Sequence, residues 1–117
     1  MKKILVVDDE AGIRFLLKTI FESDYFFYEA NNFENAYDII KSNELDFIIL
    51  DLNVDEKDGN QFFEEINKEY KNINFIIITG DELAVSEKIK SNSKLINIYE
   101  KPFDLQELKT FVGTYNA

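Results

Sequence analysis

With 117 residues, of which 45% are hydrophobic and 15% aromatic, the chain has enough Ile, Leu and Phe to fill one core and is expected to form one globular domain. Its 23 acidic against 13 basic residues give a formal charge of -10, which opposes phosphate backbones and anionic lipid surfaces, and the lysines are scattered rather than gathered in a patch. The absence of Cys and His removes disulfides, thiol nucleophiles, most zinc sites and imidazole acid–base catalysis.

In chain order, Ile4-Leu5-Val6-Val7 is a short, β-branched apolar run that predicts a strand buried on both faces, and it ends in Asp8-Asp9. Met1-Lys2-Lys3 leads into it directly, with no apolar signal segment and nothing long enough to span a membrane, so a cytoplasmic location is expected. Ile13, Leu16, Leu17, Ile20 and Phe21 fall on one helical face. Phe26 to Ala30 predicts a second, less apolar strand. A helix carrying Phe33, Ala36, Tyr37 and Ile40 follows Asn31, with Glu34 three residues on in capping-box position. Phe47-Ile48-Ile49-Leu50 predicts a third strand ending in Asp51. Asp55, Glu56, Lys57 and Asp58 read as a solvated loop, and Phe62, Phe63, Ile66 and Tyr70 as a helical stripe after Gly59. Phe75-Ile76-Ile77-Ile78 predicts a fourth strand, ending in Thr79. Leu83, Ala84, Val85 and Ile89 form no clean stripe, so the helix over Glu82 to Ser91 is the weakest of the five. Leu95 to Tyr99 predicts the last strand, running into Glu100-Lys101-Pro102, and Asp104 with Glu107 caps a helix bearing Leu105, Leu108 and Val112.

Five βα units joined by right-handed crossovers give a doubly wound parallel α/β sheet with helices on both faces. In such sheets ligands bind beyond the carboxyl ends of the strands. Asp8, Asp9, Asp51, Thr79 and Lys101 therefore converge on one edge. Three carboxylates, a hydroxyl and an ammonium make a divalent cation and a phosphoryl group the natural ligands. Mg²⁺ fits, because it takes hard oxygen donors from one or two carboxylates, keeps waters and binds phosphate oxygens. Taken singly, each residue also fits a turn, a cap or a solvated lysine; five such groups gathered at the ends of four strands do not fit accident as well.

The stretches Ile4 to Glu10, Asp51-Leu52-Asn53 ahead of Gly59, Thr79-Gly80 and Lys101-Pro102-Phe103 occur in the order and at the spacings of a response-regulator receiver domain of bacterial two-component signalling, and the chain resembles that family over essentially its whole length. The resemblance implies a flavodoxin-like (βα)5 fold with strand order 2-1-3-4-5. It implies that Asp51 accepts a phosphoryl group, that Asp9 and Asp51 bind Mg²⁺ directly, Asp8 through water and Asn53 through its backbone carbonyl, and that Thr79 and Lys101 contact the phosphoryl oxygens. It implies a phosphohistidine donor, on a histidine kinase or a histidine phosphotransfer protein, and a downstream target protein. Neither DNA nor a membrane is an expected partner. The expectation is thus a single receiver domain over 1–117 without an output domain, promoting its own phosphorylation and dephosphorylation but not an enzyme in the turnover sense.

Departures from the family pattern are Val54-Asp55 in place of Met-Pro, Lys94-Leu95 in place of a small pair, and Ile98 where an aromatic switch residue stands, with Tyr99 expected on the opposite face. Two alternatives have their own signatures. A receiver-like constitutive interaction module would show no Mg²⁺-dependent phosphorylation. A phosphohydrolase with an aspartate nucleophile would turn over a phosphate ester, and its dehalogenase-like form wants an Asp at position 53 where this chain has Asn.

Overall fold

The computed structural model describes residues 1–115. Five parallel strands form the sheet: β1 (Lys3–Val7), β2 (Phe26–Ala30), β3 (Phe47–Asp51), β4 (Asn74–Thr79) and β5 (Leu95–Glu100), in the order β2-β1-β3-β4-β5. The helices are α1 (Ala11–Phe21), α2 (Phe33–Ser42), α3 (Gly59–Glu69), α4 (Glu87–Lys90) and α5 (Leu105–Tyr115). The architecture is the doubly wound α/β fold and strand order expected. None of these helices is long and apolar enough to cross a membrane.

The strands are apolar throughout because both faces are covered, and the two-residue period sorts their side chains into two cores. Leu5, Val7, Ile48, Leu50, Phe75 and Ile77 face one way and pack with Phe33, Ala36 and Ile40 of α2 and Phe62, Phe63 and Ile66 of α3. Ile4, Val6, Phe47, Ile49, Ile76 and Ile78 face the other way, against Leu17 and Phe21 of α1 and Leu108 and Val112 of α5. Each of these Leu, Ile and Phe side chains contributes about 1.5–3 kcal/mol by its burial. Ile98 packs on the first core and Tyr99 on the second, as the alternation requires.

Local chemistry sets several boundaries differently from the sequence reading. The N-cap of α2 is Asn32, whose side chain accepts from Asn35 N–H at 2.7 Å, so Glu34 is not in capping-box register. Leu16, expected on the buried face of α1, is 43% exposed because it lies at the flank of the stripe. The stretch after β4 is a 3-10 turn (Glu82–Ala84) and then the single turn α4. Val85, with ψ of 122°, breaks the helix between them so that it and Ile89 can both enter the core. The loop after β3 is an antiparallel hairpin pairing Asn53–Val54 with Lys57–Asp58; its two turn residues, Asp55 and Glu56, take φ of 53° and 59°. Positive φ at both central positions matches the right-handed strand twist but suits Gly or Asn far better than Glu. On β5 the pairing shifts register, Phe75 facing Leu95 and Ile76 facing Asn97. There the Asn97 side chain accepts from Ile98 N–H at 2.8 Å and donates to the Tyr99 hydroxyl at 3.2 Å.

Candidate functional site

The strand order reverses between β1 and β3, so the chain leaves those two neighbours in different directions and opens a crevice at their carboxyl ends. Asp8 follows β1 and is 2% exposed; Asp51 is the last residue of β3 and is 7% exposed. Asp9 and Glu10 are exposed beside them, at the start of α1, where the helix N-terminus favours negative charge. Carboxylate oxygens of Asp8, Asp9, Glu10 and Asp51 all lie within 4.8 Å of one another.

Lys101, just past β5, reaches across the mouth of this cluster. Its Nζ lies 3.3 Å from Asp8 Oδ2, 3.3 Å from Asp51 Oδ2 and 3.0 Å from Glu10 Oε1. Its backbone is anchored by Lys101 N–H donating to Thr79 O at 2.8 Å, which ties the lysine to the end of β4. Asp8 is fixed by Glu10 N–H on its Oδ1 at 2.9 Å, and Arg14 donates to its backbone carbonyl at 2.9 Å. Asp9 accepts from Asp55 N–H at 3.1 Å, which joins the hairpin to the acids. Asn53 meets Asp51 through its N–H, 3.3 Å from Oδ1.

Four carboxylates face one ammonium, and the electrostatics follow from that imbalance. Burial, then the charge of Asp8, push the Asp51 carboxyl up to about 6, against the opposing pull of Asn53 N–H and Lys101. Burial likewise raises Asp8, outweighing the Glu10 N–H and Lys101. Burial also works against the Lys101 ammonium, but the hydrogen bond to Glu10 and the charges of Asp8 and Asp51 outweigh it, so its pKa is raised and it stays charged. Two like charges about 4.8 Å apart repel by roughly 3 kcal/mol at an effective dielectric near 20. A hard divalent cation would offset this repulsion, and clustered carboxylate oxygens are the donor set such ions take.

The sequence-predicted residues Asp8, Asp9, Asp51 and Lys101 are thus brought together. Thr79 is at the same edge and buried, but its hydroxyl is engaged elsewhere: Oγ1 donates to Asp81 O and accepts from Asp81 N–H, both at 3.2 Å. Sequence reasoning did not single out Glu10, the nearest partner of Lys101. Its place beside the Asp pair was the available signal.

A family model described as "Response regulator receiver domain" matches residues 4–113. Among curated proteins, Sporulation initiation phosphotransferase F of Bacillus subtilis is 34% identical over 116 residues, which cover 97% of this chain and 93% of that one. Transcriptional regulatory protein SrrA of Staphylococcus aureus is 36% identical over 109 residues, 91% of this chain but only 44% of SrrA, a longer protein. Among solved structures, response regulator protein TrrA from Thermotoga maritima, in complex with Mg(2+)-BeF, superposes with TM-score 0.81 at 34% identity, covering 97% of this chain and 98% of that one. The signal receiver domain of an HD domain-containing protein from Pseudomonas fluorescens gives TM-score 0.87 at 25% identity, covering 97% and 92%.

Proposed function

The chain belongs to the response regulator receiver domain family, the phosphoacceptor domains of two-component signalling, and from that premise we propose that Asp51 is the residue phosphorylated. The observation that carries this is the position of Lys101 Nζ, 3.3 Å from Asp51 and 3.3 Å from Asp8 at the mouth of the acid cluster. A carboxylate Oδ of Asp51 attacks phosphorus, the bond from phosphorus to the donor nitrogen breaks, and the donor imidazole leaves and takes up a proton as an acyl phosphate forms. Lys101 neutralises a phosphoryl oxygen, and Thr79, once released from Asp81, donates its hydroxyl proton to another.

Asp9, Asp51, the Asn53 carbonyl and, through water, Asp8 would hold Mg²⁺. When bound, the ion supplies charge neutralisation for the carboxylates and the incoming phosphoryl oxygens. Membership of the family points to a phosphohistidine donor on a histidine kinase or phosphotransfer protein, and the absence of His from this sequence means that no residue of it is that donor. On α1, the helix that begins at the acids, Phe15 and Leu16 are exposed, apolar area of the kind that a docking protein covers. Output is by protein–protein interaction with a downstream target.

Incubation with Mg²⁺ and acetyl phosphate should add one phosphoryl mass, and Asp51→Asn should abolish it. Labelling that persists in the Asn variant would sink the assignment.

A further inference from the structure

We propose that Asn60 is a positioning residue that holds the loop 80–86 in the arrangement where Thr79 is turned to Asp81, and that it must release this loop for Thr79 to engage a phosphoryl group. The proposal rests on the reading of Asp51 as acceptor.

Asn60 is the second residue of α3. Its backbone N–H and its Nδ2 both donate to Oδ1 of Asp58, the N-cap, at 2.9 Å, so the cap also orients the side chain. From there the amide spans two backbone groups of the other loop. Nδ2 donates to Ala84 O at 2.9 Å, and Oδ1 accepts from Ser86 N–H at 2.9 Å. Only this orientation of the amide works, since a flip would set NH₂ against N–H and oxygen against oxygen. Asn60 therefore pairs with an extended stretch as a neighbouring strand would, on either side of Val85, which is 2% exposed in the core.

The clamp is connected to the site at both ends. On one side, the Asp81 carbonyl that receives the Thr79 hydroxyl also receives Ala84 N–H at 3.0 Å, so the 3-10 turn and the hydroxyl share an acceptor. A hydroxyl has one proton to give, and Thr79 cannot keep Asp81 and donate to a phosphoryl oxygen as well. On the other side, Gly59 N–H donates to Leu52 O at 2.7 Å, and a Cβ at position 59 would fall 2.8 Å from Leu52 Cα and O. The start of α3 is thus pressed against the residue after Asp51.

Apart from the clamp, the loop is held chiefly by the burial of Val85. Residues 80–84 are exposed, Leu83 by 87%, and a surface depression of ≈ 440 Å³ separates them from the hairpin at 53–58. The ion pair that joins α4 to α3, Lys88 to Glu64 at 2.9 Å, has an exposed lysine and holds weakly.

Binding of beryllofluoride with Mg²⁺, followed by calorimetry, tests the clamp. Asn60→Leu keeps the branched shape of the side chain and removes both loop bonds, together with the side-chain bond to Asp58. Exchanging one or two such hydrogen bonds shifts an equilibrium by roughly ten-fold, so this variant should bind about ten-fold tighter than the native chain. Ser86→Pro, compatible with φ of -68° at Ser86 and the extended Val85 before it, deletes the donor to Asn60 together with the side-chain cap on Ile89 N–H, and Ser86→Ala, which loses the cap alone, is its control. The proline variant should bind tighter than the alanine variant, and this pair decides the matter if Asn60→Leu does not fold. A residue that merely braces the fold would lower the melting temperature without tightening the ligand. Equal or weaker binding by the variants overturns the clamp while leaving Asp51 as acceptor; no binding by the native chain overturns the Asp51 reading, and the clamp with it.

Discussion

Asp51→Asn should make the metal-free protein more stable, although it removes the residue on which the proposed chemistry depends. The Asp51 carboxyl, 7% exposed and beside Asp8, sits at about 6 against an ordinary 3.8. Each pKa unit corresponds to about 1.4 kcal/mol, so holding the carboxylate ionised in the folded chain costs on the order of 3 kcal/mol. The direction with pH follows. Below about 3.8 the group is protonated in both folded and unfolded chains and there is no penalty. As pH rises from there the unfolded chain ionises first, stability falls, and the loss levels off above about 6. Asparagine cannot ionise, keeps an oxygen for Asn53 N–H and Lys101, and leaves Lys101 paired with Asp8 and Glu10. In urea with EDTA at pH 7.5, the variant midpoint should lie higher by roughly 2 M, taking an m-value of about 1.5 kcal/mol/M. The gap should close towards pH 3.5. An Asn variant equal to or less stable than the native chain at pH 7.5, or a gap independent of pH, would refute the electrostatic account.

Three further outcomes are expected. Asp9→Asn should weaken Mg²⁺ binding more than Asp8→Asn, because a direct ligand loses more than one acting through water; isothermal titration of the two variants would contradict the division of roles by returning equal losses. Gly80→Val should slow loss of the phosphoryl group several-fold, since a Cβ there meets nothing within 4 Å and the added side chain narrows access to Asp51; an unchanged decay rate, measured by intact mass, counts against that path. Glu56→Gly should stabilise the protein by about 0.5–1 kcal/mol in chemical denaturation, the relief of a left-handed residue at φ of 59° less the extra freedom glycine has when unfolded, and a destabilised variant would show the turn to be unstrained.

The fold was legible because burial leaves a periodic trace. Runs such as Phe47 to Leu50 are continuous in apolar residues because helices cover both faces of the sheet, and Asp8, Asp51 and Thr79 are found at the strand ends where such runs break into polar residues. What escaped was set by polar contacts between distant or non-periodic positions. Glu10 gained its importance from Lys101, far along the chain, and nothing in either stretch announces the other. Asn60 bonds the backbone of Ala84 and Ser86, groups that every sequence has. Asn31 and Asn32 offer equivalent caps on paper, and only the direction in which the chain enters α2 chooses between them. The break at Val85 arises because two apolar residues, Val85 and Ile89, reach the same core from one short segment, a demand of packing that overrides local propensity.

The hydrogen bond from Ile98 N–H to the Asn97 side chain has a bearing on how crowded molecules of this chain behave. The alternate residues of β5 that pair with β4 leave those between them directed away from the sheet, and an outward N–H on an edge strand is an invitation to any passing extended segment. Here that donor is already taken, by an amide that the Tyr99 hydroxyl holds in place, and the register shift at the same point bends the strand out of line with an incoming ladder. A stray strand would have to displace a side chain to gain the bond at Ile98, while the charge of -10 keeps copies of the chain apart. On the β5 border one asparagine thus works against self-stacking at the middle of the strand, independently of the phosphoryl chemistry proposed for the carboxyl edge of the sheet.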